Sequence, residues 1–272
     1  MSLFKLNGVF GQTLLTLRWA LRDRILHAVI GVSFLLLLLI PVFSSLSMRQ
    51  VQESALTLIL SVSSFVLTVL AVQLGSSSVY RDIERRYAMS TLALPLPRSS
   101  FILGRFFGIS LFLVVSAIIF ALLAYILVPL TASINPPDRP AIWSNIWLAF
   151  GFDVCMSILM AAVSVLLSCV STSFALPFFC SIAIYLAGSA SQQVYDFLHS
   201  SAAINQSALV RSAGDVLYYL LPNFNAFDLH LQAIYGLPLA PDQLMTTFVY
   251  FVFYVGILLV LSIIIFERRE MV

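Results

Sequence analysis

The stretch Phe106-Phe107-Gly108-Ile109-Ser110-Leu111-Phe112-Leu113-Val114-Val115-Ser116-Ala117-Ile118-Ile119-Phe120-Ala121-Leu122-Leu123-Ala124-Tyr125-Ile126-Leu127-Val128 contains no charged side chain. Coiled as a helix at 1.5 Å per residue it is about 34 Å long, enough to cross a hydrocarbon layer about 30 Å thick. A helix on the surface of a soluble domain keeps one polar face, and this one keeps none. It therefore reads as a membrane span.

Outward from it the same logic finds six apolar stretches, near 27–46, 56–75, 101–130, 143–170, 174–194 and 245–266. Hydrophobic residues make up 61% of the 272-residue chain and charged residues 10%, against about 45–50% and about 25% in soluble domains. A water-soluble globule is excluded. The expected fold is an all-α membrane protein with six transmembrane helices, and residues 1–272 are read as one membrane domain.

Six crossings place both termini on one side, and the basic residues choose the side. Lys5, Arg18, Arg22 and Arg24 precede the first span, and Arg81, Arg85, Arg86, Arg98 and Arg105 lie between or at the edges of the second and third. Arg268 and Arg269 follow the last, while only Arg49, Arg139 and Arg211 stand opposite. Positively charged loops stay in the cytosol, so both termini and the 76–105 loop are expected there. In a bacterium this means a multi-pass protein of the inner membrane.

Residues 1–26 form no cleavable signal, because the first apolar run begins too late. Leu6, Phe10, Leu14, Leu17 and Leu21 recur at helical spacing, which predicts an amphipathic helix lying at the interface, with a helix that packs on the rest of the protein as the alternative. Asn135, Pro136, Pro137, Asp138 and Pro140 mark one external turn. The external segment 195–244 mixes amphipathic pieces with Pro222, Asn223, Pro238 and Pro241, which predicts short helices dipping into the outer interface.

Several chemistries are missing. A phosphate-binding loop of the Walker type needs a lysine followed by Ser or Thr, whereas the only lysine, Lys5, precedes Leu6. Any nucleotide-driven work must come from another chain. His27, His199 and His230 lack the close spacing of a zinc-binding helix. Cys155, Cys169 and Cys180 form no C-x-x-C pair and read as buried small hydrophobes. No enzyme is expected.

The most informative loop is Arg81-Asp82-Ile83-Glu84-Arg85-Arg86-Tyr87, continuing through Pro95-Leu96-Pro97-Arg98 to Phe101-Ile102-Leu103-Gly104-Arg105. It reads as a short charged helix stopped at Pro95, a turn, and a new helix capped at Ser99 or Ser100. Asp82 and Arg86 pair at four-residue spacing. This loop resembles the permease subunits of ATP-binding-cassette type-2 exporters. There the second span leads into an acidic and basic helix, a Pro-x-x-Arg turn and a Phe-x-Leu-Gly-Lys-like entry to the third. Arg86-Tyr87 stands where many members have Gly-Thr, a departure that touches subfamily and substrate. Pro222-Asn223-Phe224 and the closing Phe266-Glu267-Arg268-Arg269-Glu270 extend the likeness along the chain.

The resemblance implies a permease moving substrate outward with ATP hydrolysed by a separate ATPase subunit. ATP and Mg²⁺ would sit on that partner, with no cofactor in this chain. A second permease copy, identical or related, and the lipid bilayer complete the expected partners; no nucleic acid is among them. Segment 76–100 would be a cytosolic coupling loop, with its helix over 81–94. Asp82, Glu84, Arg85 and Arg86 would contact the ATPase, and Pro95 and Arg98 would form the turn. An ion-coupled secondary transporter or a membrane scaffold are the rival readings.

Inside the membrane Asp153 stands alone in the fourth span. An ionisable group there costs about 2.5–3.5 kcal/mol to insert, so it is expected to face the bundle interior, lining the substrate route or tying spans together through neighbouring serines. Gly104 and Gly108 form a G-x-x-x-G step expected to receive another helix of the same chain.

Overall fold

In a computed structural model the chain is described over residues 2–45, 50–84, 98–134, 141–171, 173–200 and 208–268. Apart from short connections these residues are helical, with no strand among them. The helices are α1 (Ser2–Ala20), α2 (Arg24–Ser45), α3 (Val51–Glu84), α4 (Arg98–Ile134) and α5 (Trp143–Val170), followed by α6 (Ala175–Leu198), α7 (Ala208–Leu220), α8 (His230–Tyr235) and α9 (Pro241–Arg268). A single 3₁₀ turn, Asn225–Phe227, precedes α8. Six of them, α2 to α6 and α9, are long and apolar enough to cross a membrane.

The fourth span starts and stops where the apolar run does. The second does not, because α3 extends from Val51 to Glu84, well past the expected 56–75. Gln52, Glu53, Asp82 and Glu84 have no place in hydrocarbon but suit a helix, so the helix outruns the span at both ends. Asp82 and Glu84 therefore belong to the span helix itself and not to a separate short helix. Residues 85–97, which hold Arg85, Arg86 and Pro95, lie outside the described residues, as does the rest of the expected 81–94 helix.

The core is α3 packed against α5, with α4 beside both. Close approach comes from small residues: a Cβ on Gly75 would lie 2.5 Å from Cβ of Ser164 and 3.0 Å from the carbonyl of Ala161. Serines line the same seam. Ser168 donates to the carbonyl of Ser76 at 3.0 Å, and Ser164 and Ser181 of α6 meet at 2.9 Å. Where lipid is as apolar as leucine, small side chains and such hydrogen bonds hold helices together.

The G-x-x-x-G step does receive a helix of the same chain, and that helix is α1. A Cβ on Gly104 would collide with Gln12, and one on Gly108 would stand 2.5 Å from Cβ of Thr16. Gln12 and Thr16 are buried there, while Phe10 is 70% exposed. The polar flank of α1 thus faces the bundle and part of its apolar stripe faces outward. Phe101 stacks on Phe266 at 5.5 Å, which places the start of α4 and the end of α9 at this same end of the bundle. We call it the basic end.

Cys169 is buried, Cys155 is partly covered, and Cys180 is exposed on α6, which corrects the expectation that all three are buried. An apolar side chain facing lipid has no reason to bury itself.

Candidate functional site

Asp153 sits on α5 about 15 Å from the helix start at Trp143, at 1.5 Å per residue, and only 2% of it is exposed. Its carboxylate is not left alone. Nε2 of His230 lies 3.2 Å from both carboxylate oxygens, and the Ser64 hydroxyl of α3 hydrogen-bonds to it. A carboxyl group in the bundle interior is tolerated because its partners replace the water it has lost.

His230 opens α8, and its position depends on the chain before it. Its backbone N–H donates to Oδ1 of Asp228 at 3.0 Å, and its Nδ1 lies 3.5 Å from the same oxygen. Both ring nitrogens thus face carboxylates, Asp153 on one side and Asp228 on the other. Burial by itself would lower the His230 pKa. The hydrogen bond and charge of Asp153, with the charge of Asp228, outweigh it and hold the imidazole above the ordinary histidine value. A raised pKa means that the stabilisation is complete at low pH and is lost as pH rises through the folded value.

The segment 221–240 turns back into the bundle, and its seat is built from α6, α5 and α9. Gly188 of α6 leaves space for the carbonyl of Pro222 and for the Phe224 ring, which a Cβ would meet at 2.8 Å. Phe224 packs on Tyr185 at 5.5 Å, and Phe227 packs between Phe152 and Phe251 at 6.5 and 6.4 Å. Both phenylalanines are buried. Asn145 of α5 donates to the carbonyls of Gln232 and Leu237 at 3.0 Å each. Gly236 ends α8 with φ 63, the left-handed geometry that glycine adopts without steric cost. Asn223 donates to Gln192 at 2.7 Å, and its backbone N–H donates to the Tyr250 hydroxyl. Irregular backbone inside a helical bundle is tolerated when protein satisfies its polar groups, as here.

Two cavities flank this segment. One of about 220 Å³ is lined by Ser64, Phe65, Asp153, Tyr185, Phe224 and His230 among others. The other, about 490 Å³, lies among Phe152, Gln232, Leu239, Asp242 and Thr246. Asn225 and Asp228 line both, so the 3₁₀ turn and the residue after it form the wall between them.

Of the expected site residues, Arg85, Arg86 and Pro95 lie outside the described residues, and Asp153 lies apart from Asp82 and Glu84. Asp153 faces the interior of the bundle, where it lines the cavity of about 220 Å³ and hydrogen-bonds to Ser64 of α3. Asp82 and Glu84 end α3, and Asp82 is about 27 Å along that helix from Ser64 at 1.5 Å per residue. Arg98 opens α4. Sequence reasoning missed His230, Asp228 and Tyr185. The signal was present, because a lone carboxylate in a span demands a partner, and only three histidines were available to supply one.

The described residues thus form a helical bundle with six helices long and apolar enough to cross a membrane, and a re-entrant segment over a cavity that holds Asp153 and His230. The family model for ABC-2 family transporter proteins matches residues 17–271, and the chain belongs to that family. It is a permease subunit of an ABC transporter. That membership sets the ABC reading ahead of the ion-coupled and scaffold alternatives. No curated protein matches the chain.

Proposed function

We propose that this permease is the membrane half of an ATP-driven exporter in the bacterial inner membrane, with both termini and the 76–100 loop in the cytosol and the 195–244 segment outside. Two permease copies, identical or related, join two ATPase subunits that bind ATP and Mg²⁺. Asp82, Glu84, Arg85 and Arg86 seat the loop on the ATPase, Pro95 and Arg98 form its turn, and residues 1–26 rest at the inner interface. Asp153 lines the path taken by substrate.

The observation that carries this reading is the continuity of α3. One unbroken helix runs from Ser64, which bonds to Asp153, to Asp82 and Glu84 at the basic end. A push on the charged end moves a rigid element whose other half touches the polar cavity. Nucleotide can then bias the bundle between two packings without any chemistry in this chain.

The test is charge reversal. Glu84→Arg combined with Arg85→Glu is expected to abolish permease-stimulated ATP hydrolysis by the proposed partner ATPase, while membrane insertion stays intact. Unchanged stimulation removes the docking assignment.

A further inference from the structure

The re-entrant segment separates two cavities, and one side chain holds it to the bundle by charge. His230 offers Nε2 to Asp153 and Nδ1 toward Asp228, at 3.2 and 3.5 Å. A neutral imidazole has a single N–H and can serve one carboxylate as donor; an imidazolium has two and serves both. The remaining ties of the segment, from Asn145, Gln192 and Tyr250, do not titrate near neutrality.

We propose that His230 is a positioning residue that pins the re-entrant segment closed in its doubly protonated form, and that loss of one proton releases Asn225 to His230 so that the two cavities join. This gives the permease an outer gate whose closure depends on pH. The proposal rests on the permease reading but not on the motor.

The groups facing the imidazole are two carboxyls, a phenol and residues that do not titrate. From α5 comes Asp153, from the turn before α8 comes Asp228, and from α6 comes Tyr185, a phenol that stays neutral throughout this range. From α3 come Ser61, Ser64 and Phe65, which do not titrate. Asp242 of α9 lines the cavity of about 490 Å³ with Asp228 and is absent from the lining of the one of about 220 Å³. No lysine or arginine lines either cavity among the described residues. Of its two contacts the one to Asp228 lies within the segment and the one to Asp153 reaches α5; once His230 becomes neutral, no other cation there replaces the charge that faces Asp153. The carboxylates hold the imidazole protonated beyond the ordinary histidine midpoint, so the gate is shut at low pH and opens as pH rises through the raised midpoint.

Ala233 provides the reporter. It lies on α8 and is 1% exposed, so a cysteine there reacts only when α8 leaves its seat. In a full-length chain with Cys155, Cys169 and Cys180 replaced, reconstituted in lipid nanodiscs, Ala233→Cys is labelled with a membrane-impermeant cationic thiol reagent. Its rate is divided by that of Gln243→Cys, an exposed position, which removes the intrinsic pH dependence of the thiol. The ratio is expected to rise several-fold between about pH 6 and about pH 9, the range that brackets a histidine. His230→Gln should give a high ratio at every pH. His230→Lys, a fixed cation through this range, should keep the ratio low.

A flat wild-type ratio overturns the proposal, as does a His230→Gln profile that matches the wild type. If His230→Gln fails to fold, the wild-type and His230→Lys profiles decide. No ATPase enters the measurement, so its failure and the failure of the docking assignment are distinguishable.

Discussion

Spans α3 and α5 are 67% buried inside the bundle, whereas α2 and α9, equally capable of crossing a membrane, are 22% and 17% buried. Hydropathy does not separate the two pairs; side-chain size and polarity do. In α2 the run Leu35, Leu36, Leu38 and Leu39 is exposed. In α3 and α5 the buried positions include Ser63, Ser76, Ser77, Ser157, Ser164 and Ser168. Water would have sorted these residues the other way. In a bilayer leucine gains nothing by leaving lipid, and a serine or glycine gains close backbone approach and a hydrogen bond by leaving it.

The contrast can be broken at two glycines. Gly75→Leu places a branched side chain where Ser164 and Ala161 already press on the backbone. Overpacking of this kind costs about 1–3 kcal/mol and sometimes more, because α3 and α5 must part. Gly31 on α2 has nothing within 4 Å of a built Cβ, and Gly31→Leu is expected to shift stability by less than about 0.5 kcal/mol, as surface changes usually do. Unfolding of the two variants in the same detergent checks this. Equal losses would mean that α2 is packed as tightly as α3.

A smaller and more local effect is expected at the α1 seat. Gly104→Val drives a side chain into Gln12 and the carbonyl of Val9, and Gly108→Val presses on Thr16. Either change should loosen α1 while leaving the α3 and α5 seam intact. The readout is tryptic cleavage after Arg18 and Arg22, faster in the variants, with the main unfolding transition moved by less than Gly75→Leu moves it. Unchanged cleavage would show that α1 is held by the membrane surface and not by the glycine step.

The sequence made the spans legible because a bilayer satisfies no backbone polar groups, so any crossing must be a long apolar helix. That rule found the fourth span at residues 143–170, where the helix indeed runs. It could not see where helices end outside lipid, and so it stopped the second span at 75 while α3 continues to Glu84. Asp153 was legible as buried, since a charge in a span has nowhere else to face. Its partner was not, because His230 is 77 residues away and belongs to a segment whose pattern resembles an ordinary external loop. The G-x-x-x-G step announced a close neighbour without naming it. The neighbour proved to be α1, whose apolar stripe had pointed to lipid.

The smallest effect is expected where the seam is polar, and it decides which property of the seam matters. Ser164 donates its hydroxyl at 2.9 Å either to Ser181 of α6 or back to the carbonyl of Met160 in its own helix. Ser164→Ala removes the bond to Ser181 but keeps the side chain small, so Gly75 still reaches its seat. Interhelical hydrogen bonds in a membrane average about 0.6 kcal/mol, because the separated helices find other partners, and Ser181 already has one in the carbonyl of Pro177. Ser164→Ala should therefore cost about 0.6 kcal/mol or less, well below Gly75→Leu in the same unfolding assay. A loss above about 2 kcal/mol, beyond the usual limit for such bonds, would assign the seam to hydrogen bonding. The expected small loss assigns it to backbone proximity, with the hydroxyls as consequences of the close fit and not its cause.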